Sequence, residues 1–372
     1  MPPVPPDAII HLRPTGFVEA PFGHDGQLLR IAGGLVWASA IEIVAMVGGR
    51  RVVQQLVPVE RLEAAFAALS REQSAAAEET LANIVRPRSP LMLGDRTVRL
   101  DQPQVMGILN MTPDSFSDGG RHGADPQAAA DAGFAMAAAG AAIVDVGGES
   151  TRPGAALVWE GDEIARVVPV IEGLARTGAA VSIDTRKATV MEAALAAGAR
   201  LVNDVSGLGW DERSLGVVAK AGCPVVLMHH QGDPQTMQND PRYEDALIEV
   251  YDWLEARIAT AVAAGIERGR ILVDPGIGFG KTLRHNLQLL NGLALFHGLG
   301  CPIVLGASRK RIVGALDNEA PVERRLGGSV ALAIAGAAQG VQLLRVHDVA
   351  ETVQAIRVWR GMRDEALTPP RI

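Results

Sequence analysis

Val105-Met-Gly-Ile-Leu-Asn-Met-Thr-Pro-Asp-Ser-Phe-Ser-Asp-Gly-Gly120 opens a unit that recurs through the rest of the chain. Five apolar residues lead into a polar, Gly-rich cluster. An Ala-rich amphipathic stretch at 126–139 follows, and a second apolar run begins at Ala142. Apolar runs stand at 105–109, 142–146, 180–183, 200–202, 224–228, 271–273, 302–305 and 341–344. Their lengths fit strands buried on both faces, as in a parallel sheet. Between them the spacing predicts helices over 126–139, 160–176, 187–197, 243–268, 284–297, 322–339 and 350–360. Gly140, Gly178, Gly198, Gly222 and Gly340 stand where left-handed C-caps belong. Strand alternating with helix is an α/β pattern, and eight units over roughly 260 residues match a TIM (β/α)8 barrel. A doubly wound open sheet would concentrate its Gly-rich turn after the first strand rather than place polar clusters after all eight.

The first hundred residues break the pattern. Residues 28–47 are apolar with internal Gly, 60–85 read as one polar-faced helix, and 90–100 read as a hairpin turning at Gly94-Asp95 that caps the barrel bottom. The expected division is an N-terminal extension at 1–96, the barrel at 97–363, and a tail at 364–372.

Composition narrows the function. The 372 residues carry 35 basic and 42 acidic side chains, a net charge of −7, and 4% aromatics. Neither a basic field nor a stacking platform is present for nucleic acid. Cys223 and Cys301 alone make neither a disulfide scaffold nor a zinc site. No secretory n-region precedes an apolar stretch and no uncharged run reaches spanning length, so no membrane partner and a cytoplasmic location are expected. Lysine is scarce: Lys187, Lys220, Lys281 and Lys310 stand among 31 arginines. A compact, flexible ammonium is one reason to keep lysine against that bias, and chance is another.

The clusters at the strand ends hold the candidate chemistry, since a barrel builds its site there. Asp184, Asn203 and Asp274 end strands three, four and six. Short carboxylates and an amide low in the mouth suit a flat, donor-rich heterocycle; ordinary turn caps are the alternative for each alone. Arg309, Lys310, Arg345 and His347 follow strands seven and eight, the usual phosphate corner, and propose a phosphate or pyrophosphate. Asn110 and Asp114 on the first loop, with Thr151 and Arg152 on the second, bring oxygen ligands near that anion, which suggests Mg²⁺. His229 and His230 are adjacent and lack a third soft ligand, so zinc is not expected. Gly276-Ile-Gly-Phe-Gly-Lys281 has the spacing of neither a dinucleotide nor a P-loop motif; its glycines suit close approach to a ligand, with Phe279 as an apolar wall.

Several of these segments resemble one family. Gly107–Gly120 resembles the first signature of the dihydropteroate synthases, and Asp145-Val-Gly-Gly-Glu-Ser-Thr-Arg-Pro-Gly-Ala155 resembles the second. Asn203-Asp-Val-Ser-Gly207, Asp274–Lys281, Ser308-Arg-Lys310, Arg325-Leu-Gly-Gly-Ser329 and Arg345-Val-His-Asp-Val349 are similar to later segments of that family, and the likeness covers about 97–362. The resemblance implies a barrel, usually a homodimer, that joins p-aminobenzoate to 6-hydroxymethyl-7,8-dihydropterin diphosphate in folate biosynthesis and releases pyrophosphate. It implies Asp184, Asn203, Asp274, Lys310 and Met228 for the pterin, and Thr151, Arg345 and His347 for the diphosphate. It implies Arg152, Pro153, Phe279 and Ser308 for p-aminobenzoate, and Asn110 as the Mg²⁺ ligand. It implies Lys310, Arg345, His347 and Asn110 as the catalytic set. The second loop carries no insertion, so sulfonamide sensitivity is expected. A methyltetrahydrofolate-binding methyltransferase barrel would share the acidic pterin grip but would not need Ser150-Thr-Arg-Pro153 or Ser308-Arg-Lys310, and both are present. A catalytically silent pterin-binding homologue would be signalled by loss of Lys310, Arg345 or Asn110, and all three are intact.

Overall fold

The computed structural model describes residues 3–111, 125–150, 157–232 and 237–368. The N-terminal segment forms an antiparallel sheet of β1 (Ile9–Val18), β2 (Leu29–Arg30), β3 (Trp37–Val47) and β4 (Arg50–Pro58), with β3 paired to the other three. Pro14 lies within β1, where it is tolerated because β1 pairs only with β3 and is an edge. The single helix expected over 60–85 is instead two, α1 (Leu62–Phe66) and α2 (Arg71–Val85). The break comes from Ser70, whose Oγ accepts from the Gln73 N–H while the Gln73 side chain accepts from the Ser70 N–H, a capping box that starts a new helix.

A hairpin follows, β5 (Leu91–Leu93) and β6 (Arg96–Val98), turning at Gly94 with φ +65°. The expected boundary at residue 96 falls inside β6. Leu91, Leu93, Val98 and Leu100 pack under the barrel against Met106, Ile143, Ala180, Leu201, Val226, Leu272, Val304 and Leu343. The hairpin therefore buries one inward side chain at the floor end of each of the eight strands.

The barrel strands are β7 (Gln104–Asn110), β8 (Ile143–Gly147), β9 (Val181–Asp184), β10 (Leu201–Asp204), β11 (Val225–Met228), β12 (Ile271–Asp274), β13 (Val304–Leu305) and β14 (Leu343–Val346). All pair in parallel, in the order β12-β11-β10-β9-β8-β7-β14-β13, and the Val273–Ile303 bridge joins the two ends. This is the (β/α)8 barrel expected from the sequence. Around it run α3 (Pro126–Ala139), α4 (Glu160–Arg176), α5 (Ala188–Ala197), α6 (Ser214–Ala221), α7 (Ala246–Ala263), α8 (Leu283–Asn291), α9 (Arg311–Leu316), α10 (Leu326–Ala338) and α11 (Val349–Ala366). Helices α7, α8 and α10 are shorter than expected: local caps bound α7 and α8, and a 3-10 turn, Val322–Arg324, precedes α10. Asp245 accepts from the Ile248 N–H at the start of α7, and Gly292 stops α8 before a 3-10 segment, Leu293–Leu299. The N-terminal sheet lies between α2 and the barrel. Leu12, Ile41, Ile43 and Val57 pack with Ala77 and Ile84 of α2 on one face. On the other, Val44 and Met46 join the cluster containing Leu247 and Tyr251 of α7, and His11 Nε2 lies 2.7 Å from Asp252 Oδ1. Arg51 pairs with Asp245 at the α7 cap, 2.5 Å.

Candidate active site

Side chains alternate along a strand, so stepping two residues up from the barrel floor gives the next inward layer. That layer is Ile108, Asp145, Ser182, Asn203, Met228, Asp274, Gly306 and Arg345. One more step reaches Asn110, Gly147, Asp184, Ser308 and His347 at the mouth. The chain thus places a polar ring directly on an apolar plug.

Asp145 organises the ring. Its Oδ2 accepts from Arg345 Nε at 2.6 Å and from Asn203 Nδ2 at 3.0 Å. The other arm of Arg345 donates to Asp184 Oδ2 at 2.6 Å. Burial works against the Arg345 charge, but Asp145 and Asp184 outweigh it and raise its pKa. Burial raises the Asp184 pKa, with Arg345 opposing. Asp274 is also pushed up by burial, opposed by Lys310 and by the Gly276 N–H, which donates to its Oδ1 at 2.7 Å. The remaining oxygens, Asp145 Oδ1 and Asp184 Oδ1, are buried without a hydrogen-bond partner among the described residues. A buried acceptor left unmade costs about 1–3 kcal/mol, which a ligand with matching N–H groups would recover.

Lys310 reaches this ring from the loop after β13. Its Nζ donates to the Ile277 carbonyl and lies 4.4 Å from the centre of the Phe279 ring. Burial pulls its pKa down to about 8, against the pull of Asp274. Ser308 Oγ accepts from the His347 N–H at 3.2 Å and lies 3.1 Å from His347 Nδ1. Met228 ends β11 in register with Asp274. Asn110 ends β7, and a Cβ built on Gly147 would lie 3.5 Å from both Asn110 Oδ1 and the Asp184 Cβ. The structure therefore brings Asn110, Asp184, Asn203, Met228, Asp274, Phe279, Ser308, Lys310, Arg345 and His347 to one end of the barrel. Thr151, Arg152, Pro153 and Asp114 lie outside the described residues.

Two readings change. Arg309, grouped above with the anion-binding cations, sits at φ +56° and pairs with Asp348, Nε to Oδ2 at 3.0 Å. Its N–H donates to Ser329 Oγ and its carbonyl accepts from Arg325, which gives the Arg325–Ser329 segment a structural task. The glycines of 276–280 approach neighbouring protein: a Cβ at Gly276 would lie 1.8 Å from the His229 carbonyl, and one at Gly280 2.3 Å from that of Gln231. Two features were not singled out from the sequence. Asp145 is one, although a carboxylate inside the apolar run Ile143-Val-Asp-Val146 is a signal for it. The other is a buried charge cluster beside the second loop, where Glu149 accepts from Arg186 (3.1 Å) and Lys187 pairs with Glu163 (2.6 Å). Lys187 and Glu149 also hold the carbonyl and N–H of Val158.

Known proteins are similar to this chain. A family profile described as "Pterin binding enzyme" matches residues 106–347. The dihydropteroate synthase of Escherichia coli (strain K12) is 49% identical over 260 residues, spanning 70% of this chain and 91% of that protein. The chain belongs to the dihydropteroate synthase family of pterin-binding enzymes. The Yersinia pestis dihydropteroate synthase, solved as a sulfonamide drug complex, is 47% identical with a TM-score of 0.71, over 74% of this chain and 99% of that one. The Xanthomonas albilineans dihydropteroate synthase in complex with 7,8-dihydropteroate is 45% identical with a TM-score of 0.66, over 74% and 98%. The family profile begins at residue 106, so the N-terminal sheet lies outside the matched region.

Proposed function

We propose that this chain condenses 6-hydroxymethyl-7,8-dihydropterin diphosphate with p-aminobenzoate to give 7,8-dihydropteroate and pyrophosphate. The observation that carries the reading is the pair of unpartnered buried oxygens on Asp145 and Asp184, beside Asn203, Asp274 and Lys310. They form an acceptor-rich slot of the kind a pterin edge fills. Asp184, Asn203 and Asp274 accept from the pterin N–H groups, the Lys310 ammonium donates to the ring carbonyl, and Met228 supplies an apolar wall. As the pterin takes over the carboxylates, Arg345 is released from Asp145 and Asp184 towards the diphosphate, where His347 and Thr151 join it. The C–O bond to the diphosphate breaks, a bond from the arylamine nitrogen to the methylene carbon forms, and the nitrogen then loses a proton to solvent. Arg345 and His347 stabilise the negative charge that develops on the leaving group. An arylamine is uncharged at neutral pH, so the nucleophile needs orientation more than a base. Arg152, Pro153, Phe279 and Ser308 supply that orientation.

Asn110 offers a hard amide oxygen at the mouth, which suits Mg²⁺. Mg²⁺ usually takes one or two protein ligands and completes its octahedron with substrate oxygens and water. Bound there, Mg²⁺ would neutralise diphosphate charge.

The barrel at 97–363 carries the chemistry in this reading, and 1–96 supports it. Among the described residues no helix is long and apolar enough to cross a membrane; the proposed setting is the cytoplasm. A homodimer is also proposed, supported by partly exposed Leu283 and Leu287 on α8, Leu316 on α9 and Leu326 on α10. Light scattering giving a monomer mass at micromolar concentration would remove that part. Chromatography of the product from the two substrates tests the reaction, with a sulfonamide as competitor. Dihydropteroate formation inhibited competitively against p-aminobenzoate is the expected result. Pterin binding without product would favour the silent homologue or the methyl-transfer barrel.

A further inference from the structure

Of the four lysines, Lys220 is exposed near the end of α6 and Lys310 lies in the site. Lys281 is 3% exposed and has no part in the reaction as described above. It closes the loop after β12, and its Nζ donates to the Gly276 carbonyl (3.0 Å), the Phe279 carbonyl (3.0 Å) and His229 Nδ1 (2.8 Å). The His229 carbonyl stands farther off at 3.5 Å, and together these acceptors take up the three N–H groups of an ammonium. Gly276 and Phe279 belong to the loop that Lys281 itself ends, and His229 to the loop after β11. The loop backbones meet at this point, because Gly276 and Gly280 leave no room for a Cβ against His229 and Gln231. Burial keeps His229 neutral by pulling its pKa to about 2, and in the tautomer protonated on Nε2 its Nδ1 lone pair accepts from Lys281. Burial also lowers the Lys281 pKa, with Lys310 adding to the effect and Asp274 opposing it.

The curl has a consequence one residue away on either side. It turns the Ile277 carbonyl towards Lys310 and sets the Phe279 ring against the Lys310 ammonium. We propose that Lys281 is a positioning residue, which winds residues 276–280 about its ammonium and so holds the Phe279 ring in the geometry that receives the arylamine. The proposal rests on the reading of Phe279 as a p-aminobenzoate contact. It accounts for the retention of a lysine here: a planar guanidinium with five donors does not fit acceptors that converge on a single point.

The test uses the full-length chain with Lys281→Met, which keeps the apolar stem and removes the ammonium. Steady-state kinetics give KM for p-aminobenzoate, and calorimetry without p-aminobenzoate gives Kd for the dihydropterin diphosphate. The proposal expects KM to rise about tenfold while that Kd changes less than about twofold. In a Phe279→Ala background, Lys281→Met should add less than about twofold to KM, because the two act through one contact. His229→Leu, which removes a single acceptor, should raise KM in the same direction and provides the reading if Lys281→Met does not fold. An unchanged KM, equal losses in both ligands, or full additivity with Phe279→Ala would overturn the proposal. A wild-type chain that binds the pterin but makes no product would overturn the underlying reading as well, and the wild-type control separates the two failures.

Discussion

Arg345 holds Asp145 with one arm and Asp184 with the other, at 2.6 Å each, inside a barrel with little water to screen them. Removing it leaves two buried carboxylates facing each other. Arg345→Ala is therefore expected to lose about 3–5 kcal/mol of stability as well as turnover; denaturant titration showing no loss would mean the pair contributes nothing to the fold. Asp274→Ala should weaken pterin binding by about a hundredfold, since one carboxylate acceptor of the slot is gone, and calorimetry reads this directly. Lys310 gives a pH signature. With its pKa pulled down to about 8, its ammonium is present below that pH and lost above it, so pterin affinity should fall as pH rises through about 8. The sign for stability is opposite. Above about 8 and up to the ordinary lysine range, the unfolded chain holds a proton that the folded site does not, so this residue's contribution to stability rises with pH. Affinity that is flat from pH 7 to 9.5 would contradict the role given to Lys310.

At the level of elements, the hairpin β5–β6 ties the floor of the barrel to the polar ring above it. Leu91 is 3% exposed against the inward residues at the floor end of the strands. Leu91→Ala should cost about 2–4 kcal/mol, lowering the melting temperature while leaving KM for both substrates nearly unchanged. A large change in KM would place the hairpin in the site rather than beneath it. The eight barrel strands were legible because each is buried on both faces and reads as a mainly apolar run. Asp184, Asn203 and Asp274 were legible because they end those runs. Asp145 was signalled only by its place inside a run, and its role was not legible because it depends on Arg345, 200 residues away. The N-terminal sheet was harder still. Pro14 and Gly16 interrupt the alternation of β1, and only pairing with β3 makes that segment a strand. Helix ends were misplaced where a single side chain decides them, as at Ser70 and Asp245.

At the scale of the whole molecule, the N-terminal sheet is packed on the barrel flank through His11–Asp252 and Arg51–Asp245 and shares a buried cluster with α7. Deleting residues 1–96 removes the sheet, β5 and the first residue of β6 together, and should yield aggregated protein. Deleting 1–88 keeps the hairpin and is expected to recover solubility in part, with the flank of α7 still uncovered; equal behaviour of the two would show that the hairpin does not hold the barrel floor. In the proposed reaction Arg345 and His347 take the diphosphate at the barrel mouth, and the loop after β12 takes the arylamine. The most direct measurement is pyrophosphate release from 6-hydroxymethyl-7,8-dihydropterin diphosphate, with and without p-aminobenzoate and Mg²⁺. Release that requires both, in equal amount to dihydropteroate formed, is the expected result. No release under any condition, with the pterin still bound, would contradict it.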